Sequence, residues 1–382
     1  MRSTKAVIYL DNLRDNLKTI RVSIRHNVKM CIAVKADAYG HGAVPVARMA
    51  LECGADYLAV ATVDEGIELR TAGILSPILV LSLCTPAEMP SVVCHNLTPL
   101  VSDEEYISLF EKAVANCGKK KFPLHLAIDT GMGRIGCLPG DAVKIAKLIS
   151  ASSSLYLEGM CTHFAVSDST DSCNRDYTYE QFKAFTSSCD AVRSAGIDPG
   201  IRHCSSSAAL LDRPDMQLDM ARAGIITYGY YPDEITEKYL TAGGRNVHLK
   251  PVMALETEVV AIRRFTAGKS VSYGRTWTAE ADTDIAVLPI GYGDGLLRRF
   301  SPGLKVAING KSYPIRGRIC MDQCMIDIGR DNQLVHRWDR AVIFGPTESG
   351  ALQTAADIAR DYKTISYEIM TGLTKRVPRV YR

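Results

Sequence analysis

Lys35 is the residue of this sequence with the most specific chemical potential. It follows an apolar run at residues 30–34 and opens the segment KADAYGHG, which is dense in turn-forming residues. A lysine at the carboxyl end of a buried strand stands where α/β barrels carry reactive groups. Burial lowers the pKa of an ammonium, and the neutral amine can then attack a carbonyl carbon to form a Schiff base. Taken alone, the segment favours a lysine that ends a strand and points into water; the rest of the chain reverses this preference.

Three further residues could exchange protons or bind anions. His163 and His203 each end a predicted strand, and either one alone fits a hydrogen-bonded core histidine equally well. Arg222 alone would fit a surface ion pair better than a functional role. These residues gain a common role only if one fold brings them together.

The first two-thirds of the chain alternates short apolar runs with longer amphipathic stretches. Strand–helix units of about 25–30 residues predict a parallel sheet, and their number favours a closed (β/α)8 barrel over residues 1–243, with an open doubly wound sheet as the alternative. Capping boxes at Thr62/Glu65 and Thr85/Glu88 and an N-cap at Asp103 mark helix starts. Strands are predicted at residues 31–34, 57–61, 78–82, 124–129, 157–163 and 201–205.

Residues 244–382 have a different character. Short β-rich segments follow Gly244, and Asn309-Gly310 between alternating residues is typical of a type I′ hairpin. One helix is expected near residues 352–360. The predicted fold class is therefore α/β, a (β/α)8 barrel followed by an antiparallel β domain.

Composition argues against several classes of function. The 382 residues carry a net charge of +3 without runs of like charge, which disfavours binding to nucleic acid or a membrane surface. No stretch approaches the ~20 apolar residues of a membrane span. An acidic residue comes too early for a secretory signal, so we expect a cytoplasmic protein. The twelve cysteines are scattered without paired zinc spacing, so we expect reduced thiols and no metal site.

Seven motifs occur in order along the chain: VKADAYGHG (34–42), DTGMGRIG (129–136), RAGIITYG (222–229), SYGR (272–275), GYGDG (291–295), RICMD (318–322) and YEIMTGLTKRVPR (367–379). Together they resemble the alanine racemase family, pyridoxal 5'-phosphate (PLP) enzymes with a barrel and a β domain. The resemblance covers essentially the whole chain. It implies an isomerase that interconverts L- and D-alanine and supplies D-alanine for peptidoglycan.

The resemblance assigns one group of residues to the cofactor. Lys35 corresponds to the lysine that binds PLP, and Arg222 to the arginine that faces the pyridine nitrogen. Because an arginine keeps its proton, that nitrogen stays unprotonated and the ring is a weaker electron sink. The other cofactor residues implied are Tyr39, His163, His203, Ser207, Gly224, Ile225 and Tyr367. Ser206 stands where the family usually has asparagine, and we expect little loss from this change.

Racemisation removes a proton from one face of Cα and returns one to the other face, so it needs two acid/base groups. Lys35 corresponds to one of them and Tyr273 to the other, which the second subunit of a homodimer delivers in the family. A phenol has a pKa near ~10, so its pKa must fall for catalysis at neutral pH. The resemblance implies a network from Tyr273 through His163 to Arg222 for this purpose.

The substrate carboxylate is assigned to a second set of residues. Arg134 and the backbone amide of Met321 correspond to the groups that hold it, since a guanidinium fork suits a carboxylate. Asp322 corresponds to a residue lining the same site, and Tyr292 and Arg298 to residues of the channel leading to it.

One departure from the family pattern concerns Arg134. Many members place a lysine, often carbamylated, where this chain has Ala127, seven residues before Arg134. The anion that would orient the guanidinium is therefore missing, and chloride or water is expected in its place.

Other functions stay open. A serine or broad-specificity racemase is the alternative of the same class, and Tyr367 favours alanine because a bulky phenol leaves less room for a hydroxymethyl group. A non-catalytic PLP carrier would not need Tyr273 or the β domain. A related basic amino-acid decarboxylase would need an acidic group where this chain has Arg222.

Overall fold

The computed structural model describes residues 2–301 and 303–382. A first strand, β1 (Lys5–Ile8), precedes a run of strands that alternate with helices. These strands are β2 (Lys29–Ala33), β3 (Tyr57–Val60), β4 (Ile78–Val80), β5 (Thr98–Val101), β6 (Phe122–Ala127), β7 (Leu155–Cys161), β8 (Ile201–His203) and β9 (Met220–Ala223). All eight from β2 to β9 lie in one parallel sheet, in the order β8-β7-β6-β5-β4-β3-β2-β9.

The two ends of this sheet meet. The backbone N–H groups of Asp219 and Arg222 donate to the carbonyl oxygens of Arg202 and Ser205, each at 3.1 Å, which joins β8 to β9. The predicted barrel is confirmed and the open doubly wound sheet is wrong. The sequence patterns missed β5 and β9 because Thr98 and Pro99 interrupt one apolar run and Arg222 interrupts the other.

Helices follow the barrel strands, and the longer ones cover the outside of the barrel. They are α1 (Leu10–Ser23), α2 (Lys35–Gly40), α3 (Ala43–Glu52), α4 (Val63–Thr71), α5 (Met89–Cys94), α6 (Glu104–Asn116), α7 (Ala142–Ala151), α8 (Ser172–Ser194), α9 (Ser207–Asp212) and α10 (Glu237–Ala242). The capping box of Thr62 and Glu65 opens α4, and the Asp103 carboxylate caps α6, as predicted. The box predicted at Thr85 and Glu88 is wrong: the Glu88 carboxylate accepts from the Thr85 backbone N–H at 2.7 Å in a turn. The Thr85 hydroxyl donates to the same Glu88 oxygen at 2.7 Å, while the Glu88 N–H donates to the Thr85 carbonyl oxygen, and α5 begins only at Met89.

The later part of the chain is built from short strands, most of them antiparallel, and two α-helices. They are β10 (Met253–Glu258), β11 (Ala261–Phe265), β12 (Ser270–Val271), β13 (Trp277–Thr278), β14 (Thr283–Leu288), β15 (Lys305–Ile308), β16 (Lys311–Pro314), β17 (Cys324–Gly329), β18 (Arg340–Phe344), α11 (Ala355–Asp361), α12 (Ser366–Thr371) and β19 (Arg379–Tyr381). Asn309 and Gly310 have φ of 49° and 75° between β15 and β16, so the predicted hairpin is confirmed. The predicted helix corresponds to α11, and α12 was not predicted.

The first strand of the chain is not part of the barrel sheet. β1 pairs antiparallel with β10 and parallel with β19, so the first strand lies in a sheet of the later part. That six-stranded sheet has the order β16-β15-β18-β10-β1-β19. One continuous apolar core then links the barrel with this sheet. The boundary between residues 243 and 244 stays a prediction.

Three further observations concern the described residues as a whole. None of their helices is both long and apolar enough to cross a membrane. Their cysteines are all free thiols. They contain no group of three or more His, Cys, Asp or Glu side chains able to hold a metal ion.

Candidate active site

A cavity of about 590 Å³ lies at the carboxyl ends of the barrel strands. This is the face on which barrels build their sites, because the loops after the strands converge there. Its lining includes most of the predicted cofactor residues and one predicted substrate residue: Lys35, Tyr39, His163, Ser207, Arg222, Gly224, Ile225, Tyr367 and Arg134.

Lys35 begins an unusual turn directly after β2. Residues 36 to 39 have left-handed φ values of 52–53°, a conformation that L-amino acids rarely adopt in succession. The Glu65 carboxylate holds this turn, since its Oε1 accepts from the Ala36 N–H at 2.6 Å while its Oε2 accepts from the Ala61 and Thr62 N–H groups. The sequence signal for Glu65 was its capping box alone, which did not reveal this second role.

The cavity lowers the pKa of Lys35. Burial is the main cause, followed by the positive charges of Arg134 and Arg222. The neutral amine is therefore present at a lower pH than for an exposed lysine, as nucleophilic attack requires.

Gly224 forms a cradle suited to an oxyanion. Its N–H donates to the Ser207 hydroxyl at 2.9 Å, and Ile225 after it begins a short 3₁₀ helix. A Cβ at Gly224 would lie 2.9 Å from the Tyr39 hydroxyl, so a larger residue would fill the space. The Tyr39 ring packs against that of Tyr367 with centroids 5.8 Å apart, so two phenols border the cradle.

Arg222 is buried and held from several sides. Its guanidinium bonds His203 Nδ1 at 2.7 Å, the Thr162 carbonyl oxygen at 2.9 Å and His163 Nδ1 at 3.4 Å. Burial and the Arg222 charge lower the pKa of His163 to about 3 and that of His203 well below its ordinary value. Both imidazoles are therefore neutral, and Arg222 carries the positive charge.

The hydrogen bonds continue from His203 through the barrel interior. His203 Nε2 lies 2.8 Å from His125 Nδ1, and His125 Nε2 lies 3.1 Å from Glu158 Oε2. An arginine can only donate and a carboxylate can only accept. His203 therefore accepts on Nδ1 and donates from Nε2, and His125 accepts on Nδ1 and donates from Nε2 to Glu158, so the chain of bonds has a single direction. The sequence did not indicate His125 or Glu158, because each looks like an ordinary strand residue.

Tyr273, Met321 and Asp322 do not line this cavity of their own chain. Tyr273 is 69% exposed and Met321 is 52% exposed, and both lie in the later part of the chain. The Asp322 carboxylate accepts from Arg376 at 2.6 Å. The Ser272 hydroxyl donates to the Arg318 carbonyl oxygen at 2.5 Å, which joins the loop of Tyr273 to the RICMD segment. The Tyr292 N–H donates to the Cys320 carbonyl oxygen at 3.0 Å, which joins Tyr292 to the same segment. The exposed residues Tyr273, Tyr292, Met321 and Asp322 are called the donor face below.

The loop of Arg134 is fixed by its backbone. The Asp129 carboxylate accepts from the N–H groups of Gly131, Gly133 and Arg134 at 2.9–3.0 Å. Ala127, at the end of β6, lines the same cavity. Within residues 2–301 and 303–382 the Arg134 guanidinium has no ion pair, so it is available to an anionic ligand.

Fold and site together define a barrel protein in which a lysine of lowered pKa lies in one cavity with a glycine turn bordered by hydroxyl groups. The sequence profile of the alanine racemase N-terminal domain matches residues 8–232, and that of the C-terminal domain matches residues 252–381. The chain belongs to the alanine racemase family, a family of isomerases, which confirms the resemblance seen in the motifs.

Several alanine racemases are similar to this chain along its full length. Alanine racemase of Treponema denticola is 49% identical over 383 residues, covering 100% of this chain and 98% of that protein. Alanine racemase of Treponema pallidum is 43% identical over 389 residues, with 100% of both chains covered. The solved structure of alanine racemase from Clostridium difficile 630 is 38% identical, has a TM-score of 0.92, and covers 100% of this chain and 96% of that one.

Proposed function

We propose that this protein is a PLP-dependent alanine racemase that uses Lys35 and the partner subunit's Tyr273 as its two acid/base groups. The observation that carries the proposal is Lys35 at a strand end, with a lowered pKa, in the cavity that also holds Arg222 and the Gly224 cradle. D-Alanine made in the cytoplasm would serve peptidoglycan synthesis.

The donor set of the cavity fits the cofactor. The Gly224 cradle, with Ser207, Ile225, Tyr39 and Tyr367, suits a phosphate because it offers hydroxyls and backbone amides around a space that a Cβ would fill. Lys35 would hold the cofactor aldehyde. Arg222 would face the pyridine nitrogen, with His203 and His163 beside it. PLP, when bound, supplies the electron sink that makes the substrate Cα–H acidic.

Arg222 would limit the strength of PLP as an electron sink. A guanidinium does not give up its proton at any pH at which the protein is folded, so Arg222 can only donate hydrogen bonds. The bonds to His203 Nδ1 and the Thr162 carbonyl oxygen hold the group in place, and the chain of bonds to Glu158 balances its charge. These contacts would keep Arg222 in place beside the pyridine nitrogen without protonating it, which would leave PLP a weaker electron sink when bound.

Proton transfer needs one base on each face of Cα. Burial and the charges of Arg134 and Arg222 lower the pKa of Lys35, which is the direction that a base at neutral pH needs, and Lys35 serves one face. The phenols of Tyr39 and Tyr367 border the Gly224 cradle and His163 bonds Arg222, so the other face would be served by a group from the partner subunit. Tyr273 is exposed on the donor face, as expected for a group delivered to a second copy of the chain.

Substrate binding would use both chains as well. Arg134 has no ion pair among the described residues and can take the alanine carboxylate by a two-point bond. Met321 and Asp322 of the partner subunit would complete this pocket. The half-buried Tyr367 ring would then restrict the side chain to a methyl group, which favours alanine over serine.

The first experiment tests cofactor and substrate. Borohydride treatment of PLP-loaded protein should attach the cofactor to Lys35, as peptide mapping will show. Lys35→Ala should lose the label, while Lys29→Ala, at the exposed start of β2, should keep it. In parallel, D/L assays with alanine, serine, lysine and arginine should give the highest kcat/KM for alanine. A label on another lysine, or a preference for serine, would refute the corresponding part of the proposal.

A second experiment tests the shared site. Lys35→Ala and Tyr273→Phe should each lower kcat by about 10²–10⁴-fold, the range for loss of an acid/base group. A mixed dimer of the two has one site with both wild-type residues and one with neither. Random pairing makes half of the dimers mixed, so activity should recover to roughly a quarter of wild type. Continued inactivity after verified subunit exchange would mean that Tyr273 does not act across the interface.

A further inference from the structure

Asp294 is a fully buried carboxylate held by two arginines that are distant in sequence. Arg2 forms a two-point bond with it, Nη1 to Oδ1 at 2.5 Å and Nη2 to Oδ2 at 2.9 Å. Arg376 Nε lies 3.3 Å from Oδ1 on the other side. Asp294 Oδ2 also accepts from the Gly291 N–H at 3.0 Å, so the carboxylate closes the turn at residues 291–295. A buried carboxylate needs such partners because it has lost its water.

The turn at residues 291–295 is hydrogen-bonded to the backbone of the donor face. The N–H groups of Tyr292 and Gly293 donate to the carbonyl oxygens of Cys320 and Met321 at 3.0 and 2.8 Å. The position of the turn therefore sets the backbone of Met321, whose amide is proposed to bind the substrate carboxylate.

Arg376 links Asp294 to Asp322, the residue that follows Met321. While its Nε faces Asp294, its Nη2 donates to Asp322 Oδ1 at 2.6 Å. One guanidinium thus bridges a buried carboxylate and a carboxylate of the donor face. If Arg2 were absent, Asp294 would have Arg376 as its one cationic partner among the described residues, and Arg376 would be drawn away from Asp322.

Arg2 itself is firmly anchored. Its Nη2 also donates to the Pro289 carbonyl oxygen at 2.9 Å, and the Thr4 hydroxyl donates to the same oxygen at 2.8 Å. Thr4 further bonds the Thr257 hydroxyl at 2.8 Å. The segment before β1 is therefore attached to the later part of the chain close to the donor face.

We propose that Arg2, together with Asp294 and Arg376, positions the donor face, so that the segment before β1 acts in the active site of the partner subunit. The inference rests on the proposed shared site. Arg2 is a positioning residue, because it acts through Asp294 on Met321 and Asp322. Its loss should raise KM for alanine more than it lowers kcat, since those two residues are assigned to the substrate carboxylate.

The mixed dimer allows a test that separates this role from general stability. Its one intact site takes Lys35 from the Tyr273→Phe chain and the donor face from the Lys35→Ala chain. Arg2→Ala placed in the Lys35→Ala chain should lower kcat/KM by about 10–100-fold, the scale of a misplacement of up to ~1 Å. The same change in the Tyr273→Phe chain should leave kcat/KM within about twofold of the parent mixture, because there it affects only the dead site.

Two further variants of the chain serve as controls. Arg14→Ala removes an exposed arginine paired with Asp11 on α1 and should have no effect in either chain. Arg2→Lys keeps the charge but loses the two-point bond, and should restore part of the activity. If Arg2→Ala does not fold, Arg2→Lys in the two placements gives the same comparison with a smaller difference.

Three results would overturn the role of Arg2. Equal losses in both placements would show a purely structural contribution, and no loss in either would show none. If the parent mixture without an Arg2 change fails to recover activity, the shared site is wrong and the role of Arg2 falls with it. The parent mixture thus distinguishes failure of the proposed function from failure of this inference.

Discussion

Lys35 shows how a reactive side chain conflicts with stability at the scale of one residue. Burial and two neighbouring guanidinium groups, those of Arg134 and Arg222, lower its pKa. The same interactions that make the neutral amine available make the folded state a poor environment for the ammonium. A residue chosen only for stability at this position would be uncharged.

Lys35→Met should therefore stabilise the cofactor-free protein. The folded-state pKa of Lys35 is lower than the unfolded one, so the stabilisation is largest at a pH below both values. It should shrink as pH rises through the folded pKa towards the unfolded value. Near neutral pH we expect a rise in Tm that exceeds the change caused by a substitution at the surface.

Thermal unfolding of the apoprotein between neutral and alkaline pH measures this difference. Lys29→Met, at the exposed amino end of the same strand, should change Tm by less than about 1 °C, as surface substitutions usually do. A destabilised Lys35→Met protein, or a gain in Tm that grows with pH, would contradict the argument.

Residues that occur in a recognisable sequence motif could be predicted as site residues. Lys35 and Arg222 occur in distinctive motifs, and both line the cavity. Glu65, His125 and Glu158 were not predictable as site residues, because their roles come from partners far away in sequence. His125, for example, bonds His203, 78 positions later. Such a contact exists only after the barrel closes.

At the scale of elements, the local patterns worked where a segment forms from its own residues. The capping box at Thr62 and the Asn309-Gly310 hairpin are local structures, and both are confirmed. β9 was not predicted, because this segment becomes a strand through its pairing with β2 on one side and its contact with β8 on the other. Tertiary pairing of this kind overrides local propensity.

The left-handed turn after Lys35 leads to a prediction about backbone strain. Ala36 has a φ of 52° and an exposed side chain. Left-handed backbone costs an L-residue roughly 1–2 kcal/mol and costs glycine little, although glycine loses more entropy on folding. Ala36→Gly should therefore be neutral or slightly stabilising in denaturant unfolding.

Ala191→Gly is the matched control, since Ala191 is also exposed but lies in the regular helix α8. It should cost about 0.5–1 kcal/mol. If Ala36→Gly destabilises as much as Ala191→Gly does, the turn is not left-handed in solution.

At the scale of the whole molecule, the site divides between two regions of the chain. The residues proposed to bind the cofactor line one cavity of the barrel, while the donor face lies in the later part, with an exposed Tyr273. Cofactor binding should accordingly need one chain, whereas racemisation should need two.

Dilution should separate these two properties. Half of the chains are paired when the total chain concentration equals the dimer Kd, so activity per chain should fall to about half there and continue to fall below it. Sedimentation at the same concentrations gives the Kd independently. Borohydride labelling of Lys35 should stay constant over this range, because the residues proposed to bind the cofactor all line the cavity of its own chain. Activity per chain that stays constant while the dimers dissociate would show that one chain holds both bases, and the exposed position of Tyr273 would then need a different explanation.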